Sequence, residues 1–140
     1  MKLVIDANIA IAAIVRDSTT RRILFHPLLE LHSPAYLKEE IQDHWERLRE
    51  LADLGKLAFK EVVKTILGHI RIHNEEDYQE QLAAAFRKMR SIDEADSPYL
   101  ALACAIDADG IWSNDKHFHE QHEVVVFSTK DLLKTIEIGP

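Results

Sequence analysis

The chain opens Met1-Lys2-Leu3-Val4-Ile5-Asp6, with a short apolar run cut off by a carboxylate. Leu3, Val4 and Ile5 show no polar alternation, so they predict a strand buried on both faces of a sheet. Strands of that kind belong to parallel sheets with helices on both sides, which narrows the fold to the α/β class. Asp6 then falls at the carboxyl end of the strand, where open α/β sheets place their chemistry. Two readings of Asp6 stand side by side. It is the first of four carboxylates that meet to hold a divalent metal, or it caps the helix that follows.

The rest of the chain alternates in the same way. Asn8 to Val15 predicts a short helix, and Asp17-Ser18-Thr19-Thr20 a break with capping residues. A second helix runs from Arg21 to Phe25 and ends near Pro27. Leu29 to Ser33 is a candidate second strand. Ser33-Pro34 then reads as a helix start, with Ser as cap and Pro at the first helical position. The helix from about Ala35 to Leu54 is marked by Leu37, Ile41, His44, Trp45, Leu48 and Leu51, with Gly55 as its stop. Lys56 to Leu67 gives another amphipathic helix, and Ile70 to His73 a short edge strand. Asn74 to Asp77 caps a helix that runs to about Met89. Pro98 to Ile106 is almost wholly apolar and predicts a buried helix that includes Cys104. Ile111 to Ser113 and Val124 to Phe127 read as buried strands, the first ending in Asn114-Asp115. Ser128 to Asp131 resembles a capping box, with Asp in place of Glu, before a last helix to about Thr135. There is no internal repeat and no linker.

A length of 140 residues, 46% of them hydrophobic, suits one domain over 1–140 with a proper core. No apolar run approaches the roughly 20 residues of a membrane span, and no signal peptide is visible. The single cysteine fits a reducing compartment, so a cytoplasmic location is expected. The net charge of −7 speaks against a generic nucleic-acid binder. If four acids are committed to metal, more than half of that excess disappears, and bound cations would invert the local field.

If the strands that end at Asp6 and Asp115 are neighbours in a parallel sheet, both acids lie at the same edge, where the strand order reverses. Successive helical residues turn by about 100°, which puts Glu40 about 60° from the line of Leu37 and Ile41. It can reach the sheet edge, whereas Glu39, about 160° away, faces solvent. The alternative for Glu40 is a place in a solvated row of charge. Asp93 and Asp96 precede the apolar helix like ordinary caps, but the burial of that helix fixes them beside the core.

In this order the motifs resemble a PIN domain, the nuclease family named after the PilT N-terminus. The family's opening aliphatics and Asp-x-Asn match Val4-Ile5-Asp6-Ala7-Asn8. Its Glu before an aliphatic matches Glu40-Ile41, and its Asp leading into an Ala-rich helix matches Asp96-Ser97-Pro98-Tyr99-Leu100-Ala101-Leu102-Ala103. Its closing motif matches Ile111-Trp112-Ser113-Asn114-Asp115-Lys116-His117-Phe118. His117 stands where many members carry another acid. The resemblance implies an α/β/α sandwich with a central, mostly parallel sheet, and metal-dependent cleavage of RNA. It implies Asp6, Asp96 and Asp115 as ligands of Mg²⁺ or Mn²⁺, with Glu40 direct or water-bridged. Asn8 and Ser113 would orient ligands or substrate, and Asp93 would stand one layer further out. A water activated by one or two ions would be the nucleophile. The resemblance is to the small VapC-like toxin type, and implies an antitoxin partner and a homodimer. The alternative is a PIN-fold module that has lost catalysis and serves as a binding or scaffold protein, and a metal-dependent phosphatase comes third.

Other signals carry less. His117, His119 and His122 lack the spacing of helical zinc pairs and read as a solvated, mobile segment. Cys104 reads as a buried, inert hydrophobe. Trp45 and Trp112 read as core or rim. Arg16, Arg21 and Arg22 form a small basic cluster that offers candidate phosphate contacts.

Overall fold

The computed structural model describes residues 1–138. Strands β1 (Lys2–Ile5), β2 (Glu30–Pro34), β3 (Ile70–His73), β4 (Gly110–Trp112) and β5 (Val126–Phe127) form one sheet in the order β3-β2-β1-β4-β5. Every pairing is parallel. Parallel neighbours need crossovers, and these are α1 (Ala7–Val15), α2 (Thr19–Leu24), α3 (Tyr36–Asp43), α4 (Trp45–Ala52), α5 (Lys56–Gly68), α6 (Gln79–Met89) and α7 (Ser97–Ala105), with α8 (Thr129–Ile138) last. The result is a three-layer α/β/α sandwich. The chain steps outward from β1 to β3 and then returns to lay β4 on the free side of β1. The crevice between β1 and β4 is therefore where the strand order reverses.

β1 is central because it can be buried on every side. Leu3, Val4 and Ile5 are fully buried, as are Ile111 and Trp112 of β4. Ile5 lies opposite Trp112 in register, so the residues that follow each strand emerge at one edge. The Trp112 indole N–H donates to Thr129 Oγ1 at 3.0 Å, which satisfies its one polar atom. Trp45 is half-buried, its ring edge-on to Phe59 at 4.7 Å. At the start of β4 the Phe127 ring lies over Gly110, where an added Cβ would come within 2.9 Å of the Val125 carbonyl oxygen. The capping box forms as expected: Ser128 N–H donates to Asp131 Oδ2 and Asp131 N–H to Ser128 Oγ, each at 3.0 Å.

Several expectations need correction. Ser33-Pro34 is the end of β2, not a helix cap, and the Ser33 hydroxyl is spent on the Ile5 carbonyl at 3.1 Å. The proline costs no ladder bond because it stands at the last strand position. The long helix is two: α3 and α4 meet at His44, whose φ of −112° and ψ of 17° are not helical. The turn sends His44 to the surface and leaves Leu51 62% exposed, so neither belongs to a buried stripe. α4 ends at Asp53 in the left-handed region (φ 55°), and Gly55 is instead the N-cap of α5. β5 is shorter than expected and half-buried, because it forms the sheet edge. Cys104 is exposed: Ser97 and Tyr99 through Ala103 of α7 are buried, and Cys104 faces outward near the helix end.

Candidate metal centre

The site is built from the ends of elements. β1 ends at Ile5, and Asp6 directly after it is the N-cap of α1; its Oδ1 accepts from Ile9 N–H at 2.9 Å. The two readings of Asp6 are thus compatible, since one oxygen caps and the other turns toward β4. That second oxygen, Oδ2, accepts from the Ser113 hydroxyl, and Ser113 Oγ in turn accepts from Asp115 N–H at 3.0 Å. One buried hydroxyl therefore fixes the carboxylate after β1 to the loop after β4. Asp115 Oδ1 accepts from His117 N–H at 2.9 Å, which turns the loop back on itself.

α3 brings Glu40 to the same edge from the side. Tyr99 of α7 donates its hydroxyl to Glu40 Oε1 at 3.1 Å. Asp96 stands at the N-terminus of α7 with no backbone N–H bound to its side chain, and its Oδ2 is buried without a hydrogen-bond partner. Asp93 spends one oxygen on Ala95 N–H at 3.1 Å. Asp6, Asn8, Glu40, Asp93, Asp96 and Asp115 together line a cleft of about 190 Å³, with Tyr36 and Tyr99 as its aromatic walls. Every site residue expected from the sequence lines this cleft except Ser113, which braces it from beneath. Asp93, Asp115 and His117 also approach closely, one donor atom from each lying within 4.8 Å of the others.

The electrostatics are those of crowded acids. Burial first, then the neighbouring charges of Asp93, Asp115, Asp6 and Glu40, push Asp96 up to about 7. Asp6 is raised by burial and by Asp115, against the lowering effect of its bonds from Ser113 and Ile9. Glu40 is raised by burial and by Asp6, while the Tyr99 hydrogen bond opposes the shift. No Lys, Arg or His side chain among the described residues lines the cleft. The nearest basic partner is His117, 3.7 Å from Asp115. Unsatisfied buried oxygen and mutual repulsion are what a hard cation relieves, and an all-oxygen donor set suits Mg²⁺ or Mn²⁺.

Tyr36 and Tyr99 were absent from the expected site. Both lie in stretches read as helical, and no sequence pattern marks which ring of a helix turns to a neighbouring acid. The basic cluster does not reach the site. Arg21 Nε and Nη2 donate to the Ala13 and Ile14 carbonyls at 2.8 and 3.1 Å, capping the far end of α1 from Asp6. His117, His119 and His122 are exposed to solvent as expected, but the segment that carries them is anchored. Phe118 is fully buried, and the Gln121 side chain donates to the Val124 carbonyl at 2.7 Å and accepts from Glu123 and Val124 N–H.

A parallel α/β sheet with an oxygen-only acidic cleft at the carboxyl ends of its central strands defines a class of proteins equipped to use hard divalent cations. Within that class the chain belongs to the PIN domain family, whose model matches residues 4–132. PIN domains are generally metal-dependent nucleases, so the chain belongs to a nuclease family. No curated protein matches it. No helix among the described residues is long and apolar enough to cross a membrane.

Proposed function

We propose that this protein is a divalent-metal-dependent ribonuclease that hydrolyses RNA phosphodiester bonds. The observation that carries the reading is Asp96 Oδ2, buried and unpartnered in a cleft of acids with no basic side chain to neutralise them. Asp6, Asp96 and Asp115 would hold Mg²⁺ or Mn²⁺, with Glu40 bound directly or through water. The chemistry supplied when the cation is bound is activation of a water in line with phosphorus and stabilisation of the leaving oxygen. The side chains do the positioning. Ser113 orients Asp6, Tyr99 holds one Glu40 oxygen, and Asn8 at the rim faces the substrate side. No side chain is required as a covalent nucleophile.

The family resemblance supports the finer role: the VapC-like toxin half of a toxin–antitoxin pair, cytoplasmic and homodimeric, its cleft closed by an antitoxin protein when inhibited. The test is RNA cleavage with Mg²⁺ or Mn²⁺. Asp6→Asn abolishes it while the circular dichroism of the fold is retained. Cleavage that persists in EDTA and in Asp6→Asn overturns the reading. A crystal soaked in Mn²⁺ with no ion among Asp6, Asp96 and Asp115 supports the scaffold alternative instead.

A further inference from the structure

A second cleft of about 220 Å³ adjoins the acidic one, and Tyr36 is the wall between them. Tyr36 is the first residue of α3 and is 38% exposed, unusual for a large aromatic in this chain. Its hydroxyl is pushed up first by the charge of Glu40, then by burial, Glu39, Asp43 and Asp96. Beyond the ring the second cleft is lined by Tyr78, Leu82 and Pro98, with the carboxylates of Glu39 and Glu75. Pro98 lies two residues after Asp96, which fixes the distance between the two clefts through one rigid helix start.

We propose that this second cleft is a nucleobase subsite, selective for guanine, that seats the base next to the phosphate held in the acidic cleft. The inference rests on the ribonuclease reading for its phosphate. An unstacked RNA base is held by an aromatic face and by hydrogen bonds on its Watson–Crick edge. Tyr36 supplies the face. Apart from tyrosine hydroxyls, the polar side chains lining the cleft are carboxylates, which only accept when ionised. Guanine presents two adjacent N–H donors, at N1 and N2, and so can meet a carboxylate with both. Adenine and cytosine pair one donor with an acceptor, and uracil sets its one donor between two acceptors; each leaves a repelled lone pair against Glu39 or Glu75.

The test is titration of the Mn²⁺-loaded protein with the four ribonucleoside 5′-monophosphates, read by calorimetry. GMP is expected to bind about tenfold more tightly than UMP. Tyr36→Ala should weaken GMP about tenfold or more, the usual loss for one stacking ring. Glu39→Gln and Glu75→Gln should erase the preference for GMP while leaving Mn²⁺ affinity unchanged. Equal binding of all four nucleotides, or GMP affinity indifferent to Tyr36→Ala, overturns the subsite. Cleavage is read separately: a protein that prefers GMP but cuts no RNA sinks the nuclease reading and keeps the subsite. One that cuts RNA and binds all four bases alike does the reverse.

Discussion

Ser113 stands between two of the candidate ligands, and a single hydroxyl serves both. It donates to Asp6 Oδ2 and accepts from Asp115 N–H. Ser113→Ala would leave a buried carboxylate oxygen without its donor, at a cost of about 1–3 kcal/mol. Such supporting partners also set ligand orientation, so Mn²⁺ affinity should fall about 10–100-fold. Thermal denaturation and a Mn²⁺ titration read the two effects; a variant with wild-type affinity would show that Asp6 needs no brace. At this scale the site was largely legible in the sequence. Asp6 and Asp115 follow apolar runs, and the turn of the helix separated Glu40 from the exposed Glu39. What pattern could not reveal is pairing across the chain. Tyr99 meets Glu40 from 59 residues away, and no local periodicity encodes that meeting.

At the scale of elements, the β2–β3 edge is tied by a chain of titratable groups that the sequence did not announce. His32 Nε2 lies 2.7 Å from Glu30, His32 Nδ1 lies 2.8 Å from His73 Nε2, and His73 Nδ1 lies 3.1 Å from Asp77. Two neutral imidazoles carry two N–H hydrogens between them, so with both rings neutral only two of the three links are made. His32 is buried, and burial first, then the charge of His73 and Arg71, holds it below its ordinary value against the raising effect of Glu30. The unfolded chain therefore binds this proton more readily than the fold does. The stability His32 contributes is complete above the unfolded value of 6.5 and is lost as pH falls through the lowered folded value. The melting temperature of wild type minus that of His32→Gln should shrink from pH 7.5 toward about 5; a constant difference would show that the ring does not titrate in this range. β3 was read from the alternation of Ile70 and Ile72 with Arg71 and His73, whereas β2, which carries Glu30 and His32, left only a weak strand signal. The helix start assigned to Ser33-Pro34 failed because the same residue pair can end a strand, and tertiary contact with Ile5 decided between the two. The break at His44 has no Pro or Gly to signal it. Gly110 is the reverse case, a residue that sequence passed over and packing demands. Gly110→Ala should cost about 1–3 kcal/mol by overpacking against Phe127 and the Val125 carbonyl, read as a drop in urea midpoint.

For the molecule as a whole, the acidic cleft is a place where crowded, buried carboxylates cost stability. Asp96 is pushed from 3.8 to about 7 by burial and by its acidic neighbours. Its folded form binds a proton more tightly than the unfolded chain, so its favourable contribution is complete below the unfolded value. That contribution disappears as pH rises through about 7. With metal chelated, Asp96→Asn should already be the more stable of the two at about pH 5, and its margin should widen up to about pH 8, since Asn carries no charge to repel. Mn²⁺ should invert the order. A cation that binds only the fold adds about 2.7 kcal/mol at a hundredfold excess over its Kd, and wild type gains this while the variant gains less. The gain should grow with pH, because binding displaces the Asp96 proton. The chain's net charge of −7 makes the same demand on a larger scale, since a polyanionic substrate meets an acidic surface unless cations stand between them. Melting curves with EDTA and with Mn²⁺ at two pH values decide the matter. If the two proteins share one pH profile in EDTA and Mn²⁺ moves neither, the acidic neighbours do not hold Asp96 away from its charged form, and the cleft grips no ion.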